Sequence, residues 1–126
     1  MESRTPGSKD TLAQSFRDAA RGILQASTGR NFRIECAIGV LAFFLCWLLH
    51  ASGTEILFVI GFSAAVLAFE CVNTAIEALG DRITGEFDPL IKVAKDCAAG
   101  GVLIVSLGAF IAGCIIFIPK LIALAG

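Results

Sequence analysis

Three long apolar runs constrain this chain more than any motif does. Residues 32–50, FRIECAIGVLAFFLCWLLH, are nearly free of charge after Glu35. Residues 55–79 open with Glu55 and continue as ILFVIGFSAAVLAF before polar side chains enter. Residues 94–118 run from AKDCAAGGV into LIVSLGAFIAGCIIFI, with Pro119 and Lys120 expected to mark the end. About 20 apolar residues carry a helix across the hydrocarbon core of a bilayer. Each run is predicted to be a transmembrane helix, since only helices and closed barrels satisfy the backbone in lipid. Trp47, near the far end of the first run, suits an interfacial anchor.

What precedes the first run has a different character. Residues 1–10, MESRTPGSKD, read as a flexible tail. Residues 1–31 contain no apolar core segment, so no signal peptide is expected. Within residues 11–28, Leu12, Phe16, Ala19, Ala20, Ile23 and Leu24 recur at helical spacing, with Arg17, Asp18, Arg21 and Gln25 between them. That pattern predicts an amphipathic helix capped by Asp10 or Thr11 and lying on the bilayer surface. The fold class is therefore an all-α membrane protein, with three transmembrane helices behind an N-terminal amphipathic surface helix. The 126 residues support one domain.

Basic residues set the orientation. Arg4, Lys9, Arg17, Arg21, Arg30 and Arg33 precede or open the first run, and Arg82, Lys92 and Lys95 lie between the second and third. The ASGT turn after the first run has none. The positive-inside rule puts the N-terminus and the 80–95 segment of a multi-pass protein in the cytoplasm. The formal net charge is −1, and no basic patch is interleaved with aromatics, so a nucleic-acid partner is not expected. The five cysteines form no CxxC pair and His50 stands alone, which argues against a zinc site or a disulfide framework.

Against this apolar background one stretch stands out: FECVNTAIEALGD, residues 69–81. Glu70, Asn73, Glu77 and Asp81 are spaced three, four and four apart, which keeps them, with Thr74, on one stripe of a helix. Glu70 should lie deepest and Asp81 nearest to water. Lys92, Lys95 and Asp96 follow across a short polar segment that carries Glu86 and Asp88, and Glu35 enters from the first run beside Arg33. Ionisable groups from every span thus gather at one membrane face. A structural network binding three helices is the plainer reading, and Asp81 and Arg82 suit it best. Charged groups in a membrane are costly, however, and a collection of them marks a functional site by default.

The chemistry of the set is specific. Carboxylates with an asparagine suit a hard cation such as Mg²⁺, which favours oxygen ligands and substrate phosphates. A nearby lysine suits phosphate oxygens. A carboxylate set deeper in the layer, stripped of water, suits a general base acting on a lipid hydroxyl. Together these describe phosphoryl transfer at the membrane surface. Proton-coupled transport also uses intramembrane carboxylates, although it favours a lone group at mid-span.

The segment ECVNTAIEALGDRITGEFDPLIKVAKDCAAGG resembles the core of the bacterial diacylglycerol kinase and undecaprenol kinase family. The family pattern, E-x-x-N-T/S-A-I-E-x-x-x-D followed by a loop and A-K-D, is matched by Glu70, Asn73, Thr74, Ala75, Ile76, Glu77, Asp81, Ala94, Lys95 and Asp96. NFRIE and the three spans extend the similarity over most of the chain, and FDPLIKVAKD is closer to the undecaprenol kinase branch. The resemblance implies a small homotrimeric membrane kinase that moves the γ-phosphate of MgATP to a lipid alcohol. It implies Glu70 as general base and Glu77 as the metal ligand. Arg17, Asn73, Glu77, Glu86, Asp88, Lys95 and Asp96 would contact the nucleotide or hold its site. No GxxxxGK[ST] loop occurs, and the family uses none. Ala98, Ala99, Gly100 and Gly101 would let helices approach closely.

One position departs from the pattern. Family members carry a metal-binding Glu shortly before N-F-R-I, whereas this chain reads Thr28, Gly29, Arg30, Asn31. Gly29 has no side chain to coordinate with. Either Glu35 or water completes the metal shell, or the chain is a weakened relative of the active enzymes.

Overall fold

The computed structural model describes residues 11–126. The expected tail and the alternative cap Asp10 lie outside the described residues. Four helices follow in order: α1 Leu12–Ala26, α2 Arg30–Leu48, α3 Gly53–Ile83 and α4 Pro89–Ala125. No strand occurs among the described residues.

Local chemistry sets the helix ends. Thr11 caps α1 through a reciprocal box: its Oγ1 accepts from the Gln14 amide at 3.3 Å, and its own amide donates to Gln14 Oε1 at 3.1 Å. At the other end Ser27 and Thr28 donate their hydroxyls back to the carbonyls of Leu24 and Gln25. These two residues form the turn, so α1 is shorter than the 11–28 segment. Arg33 Nε reaches back to the Ser27 carbonyl at 3.2 Å and ties α2 to this corner. There Ala26 and Phe32 are buried.

α2 ends in a Schellman turn. The Ala51 amide donates to the Cys46 carbonyl at 2.9 Å, and the His50 amide to the Trp47 carbonyl at 3.4 Å. The geometry needs a left-handed residue between them, and His50 supplies it with φ 53°. Ser52 then caps α3 in a box with Glu55, whose Oε2 accepts from the Ser52 amide at 2.7 Å. Beside this turn Cys46, Leu49, Val59, Ile116 and Phe117 form the buried apolar cluster that joins the ends of the three long helices.

α3 and α4 outrun the spans expected from hydropathy. At about 1.5 Å per residue, the 31 residues of α3 reach about 46 Å and the 37 of α4 about 55 Å, against an apolar layer of about 30 Å. The polar segment 80–92 is therefore mostly helix, and only residues 84–88 form the loop. Leaving lipid does not end a helix, because its hydrogen bonds are internal. The stop comes at Thr84 and the restart at Asp88, whose Oδ1 accepts from the amides of Leu90 at 2.8 Å and Ile91 at 3.1 Å ahead of Pro89 in the first turn. Pro119 likewise does not end α4, which continues to Ala125. A proline removes one amide donor, and a long apolar helix tolerates that loss.

α3 and α4 pack antiparallel, and two aromatic–glycine contacts set their separation. A Cβ built on Gly101 would fall 3.1 Å from the Phe69 ring, and one on Gly108 would fall 3.1 Å from the Phe62 ring. Each pair lies one heptad from the other on its own helix, so both rings nest on one stripe of α4. An ion pair closes each end: Lys120 to Glu55 at 3.0 Å, and Lys95 to Asp81. Glu55 and Asp81 stand 26 residues apart, about 39 Å along the helix, which matches a bilayer with its interfaces. Large apolar side chains outside these contacts, among them Val40, Trp47, Ile104 and Ile115, are exposed on the helix surfaces, as lipid-facing residues are.

Candidate active site

The polar stripe of α3 grades with burial. Glu70 is 5% exposed and Asn73 9% exposed, the only buried polar side chains among the described residues. One turn on, Glu77 is exposed and accepts from Asn73 Nδ2 at 3.1 Å. Thr74 turns its hydroxyl back to the Glu70 carbonyl at 2.9 Å, a local bond that leaves the Glu70 carboxylate untouched. The other amide atom of Asn73, Oδ1, is sealed from solvent within the chain and has no partner. An unsatisfied buried oxygen is expensive, so it invites a donor or a cation.

Charge surrounds Glu70 on two sides. Glu35 from α2 and Glu77 from its own helix both lie within electrostatic reach of it. Glu35 is half-buried and stands at the rim of an apolar cavity of about 540 Å³ between α2, α3 and α4. That cavity runs past Gly39, Ser63, Val66 and Ser106 to Ile116 and Phe117 at the far end of the bundle. Ser63 and Ser106 are single hydroxyls in apolar runs, with no signal in the sequence; only the helix register brings them to one wall. Ser106 Oγ is buried without a partner.

The second group sits where α3 and α4 leave the apolar layer. Lys95 pairs with Asp81 across the two helices, and Lys92 pairs with Asp96 within α4. Asp96 is thus exposed and already neutralised by a neighbour one turn away. In the loop Glu86 is exposed, and its amide donates to Thr84 Oγ1 at 3.1 Å. Asp88 uses one carboxylate oxygen as the α4 cap. Arg17 is exposed on α1, the helix that packs against α3. Gly29 is the α2 N-cap, extended at φ −72° and without a side-chain cap bond. Among the described residues of one chain, no three acidic, histidine or cysteine side chains converge as a metal cage.

The chain is similar to known proteins over this whole region. The family model described as prokaryotic diacylglycerol kinase matches residues 17–117, which include every candidate residue named above. A diacylglycerol kinase of Synechocystis is 38% identical over 115 residues, covering 90% of this chain and 66% of that protein. The chain therefore spans just under two thirds of the Synechocystis relative's length. An undecaprenol kinase of Bacillus subtilis is also 38% identical, over 109 residues, covering 86% of this chain and 89% of that protein. A diacylglycerol kinase of Escherichia coli is 38% identical over 86 residues, covering 68% of this chain and 70% of that protein. With three membrane-length helices and a match over most of its residues, the chain belongs to the prokaryotic diacylglycerol kinase family.

Proposed function

We propose that the chain is a lipid kinase of the bacterial inner membrane, a single domain that phosphorylates diacylglycerol or undecaprenol with ATP and Mg²⁺ at the cytoplasmic face. The observation that carries this reading is the graded stripe of α3: a buried Glu70, a buried Asn73 bonded to an exposed Glu77, and Lys95 one helix away. A buried carboxylate beside an exposed one can serve two phases at once. Glu70 takes the proton of a lipid hydroxyl as that oxygen bonds to the γ-phosphorus. The bond from the γ-phosphorus to the β–γ bridging oxygen breaks, and ADP leaves with that oxygen. Asn73 contacts the phosphates, and Lys95 and Asp96 steady the nucleotide with Arg17, Glu86 and Asp88.

The donors fit Mg²⁺ in kind: the Glu77 carboxylate and the unpartnered Asn73 Oδ1 are hard oxygens. Glu77 would hold the ion, with water and phosphate oxygens completing its shell. When bound, the ion would neutralise charge on the transferring phosphate. Groups from neighbouring subunits would complete the site in the homotrimer that the family resemblance implies. Arg17 and Arg21 on α1, Arg30 and Arg33 at the start of α2, Arg82 in the last turn of α3 and Lys92 and Lys95 at the start of α4 support a cytoplasmic N-terminus.

The test is transfer of labelled phosphate from ATP in mixed micelles, with diacylglycerol and undecaprenol offered in parallel and Mg²⁺ present or chelated. One labelled lipid phosphate, formed only with Mg²⁺, is expected. Label in neither lipid would overturn the reading. Uptake of a solute driven by a pH gradient without ATP would favour a transporter instead.

A further inference from the structure

We infer that Gly80 and Asp81 are positioning residues for Lys95, a role that rests on the kinase reading above. Gly80 is buried in the last turns of α3, where α4 crosses it. A Cβ there would meet Lys95 Cε at 2.9 Å and Ile91 Cγ2 at 3.0 Å. The missing side chain is therefore a saddle, and the aliphatic stem of Lys95 lies in it. The ammonium emerges beyond the saddle and rests on Asp81, the next residue of the same helix.

The two contacts divide the work. The stem is held by shape: the Lys95 side chain is 34% exposed, against 59% for Lys92 on the outer face of the same helix. Lysine carries much rotamer entropy, and a stem held before nucleotide arrives has less to lose on binding. The head is held loosely. Asp81 is 73% exposed, and ion pairs of that kind contribute little net stability. An ammonium has three donors, so it can turn one to a phosphate oxygen while keeping Asp81. Lys92 lies on the outer face of α4, exposed along its stem and paired with Asp96 one turn along.

The separating experiment is a double-mutant cycle on nucleotide affinity, read with ATP titrated into the detergent-solubilised full chain. Gly80→Ala should weaken ATP binding by about fivefold by displacing the Lys95 stem, and lower the thermal midpoint slightly, because the stiff Ile91 side chain must also give way and that offsets the gain in helix propensity. Asp81→Asn, at an exposed position, should weaken it by about twofold or more without unfolding the chain. In a Lys95→Ala background neither substitution should change the affinity further. Loss of affinity that persists undiminished in that background overturns the inference. So does an unchanged affinity in Asp81→Asn, whether or not Gly80→Ala folds. A wild-type chain that binds no ATP and labels no lipid overturns the kinase reading itself, and this role falls with it.

Discussion

Substituting alanine at Gly101, Gly108 and Gly113 makes one chemical change in two kinds of surroundings. At Gly101 the new Cβ falls 3.1 Å from two carbons of the Phe69 ring, and at Gly108 it falls 3.1 Å from the Phe62 ring. Favourable carbon contacts lie at about 3.5–4.0 Å, so each ring must retreat by about half an ångström. Overpacking of this kind costs about 1–3 kcal/mol, and the gain in helix propensity returns about 1 kcal/mol. Each variant should therefore lose about 1 kcal/mol, and the double variant about 2 kcal/mol, since the sites are a heptad apart and nearly independent. Gly113 has nothing within 4 Å of a new Cβ, so alanine there should add about 1 kcal/mol. Equilibrium unfolding in mixed micelles, followed by circular dichroism, reads the difference. Turnover should separate the two tight sites as well. Phe69 precedes Glu70, whereas Phe62 lies two turns deeper, so Gly101→Ala should slow transfer more than Gly108→Ala does. Equal stability in all three single variants would refute the ring-in-saddle packing of α3 on α4.

Other perturbations probe other links. Glu77→Gln should lower turnover by about a hundredfold and raise the Mg²⁺ requirement, measured as initial rate against free Mg²⁺. Gly29→Glu should lower the half-saturating Mg²⁺ concentration by about tenfold, because the extended N-cap accepts a side chain and a Cβ meets only the Ala26 carbonyl at 3.2 Å. Unchanged Mg²⁺ dependence there would show that Glu35 or water already completes the shell. Lys120→Met should lower the thermal midpoint by stranding Glu55, and adding Glu55→Gln should restore most of the loss, because removing both partners of a pair is milder than removing one.

Much of this was legible because membranes simplify the reading. The three apolar runs and the stripe from Glu70 to Asp81 follow from hydropathy and a period of 3.6, and Thr11 is one of the two caps that N-cap chemistry offers there. That Glu70 lies deeper than Glu77 follows from the helix direction, but its burial does not, since Phe69 and Val72 at the same depth are exposed. The helix ends were not legible from hydropathy, since α3 continues past Leu79 and α4 past Pro119 on internal hydrogen bonds that ignore the edge of the lipid. The saddle at Gly80 and the cavity from Glu35 past Ser63 and Ser106 depend on the antiparallel register of α3 and α4. That register is set by Phe69 on Gly101 and Phe62 on Gly108, pairs 32 and 46 residues apart that carry no local signal. The Schellman turn at His50 shows the same limit at short range: a left-handed histidine holds a place where glycine would have announced the turn.

The central claim is that Glu70 is the base, buried in the membrane phase, while nucleotide binds outside it. Glu70→Gln keeps the shape and removes the proton acceptor. Measured together, its lipid phosphorylation should fall by about 10²–10⁴-fold while ATP affinity stays at the wild-type value. Phosphorylation at the wild-type rate in Glu70→Gln would contradict the account.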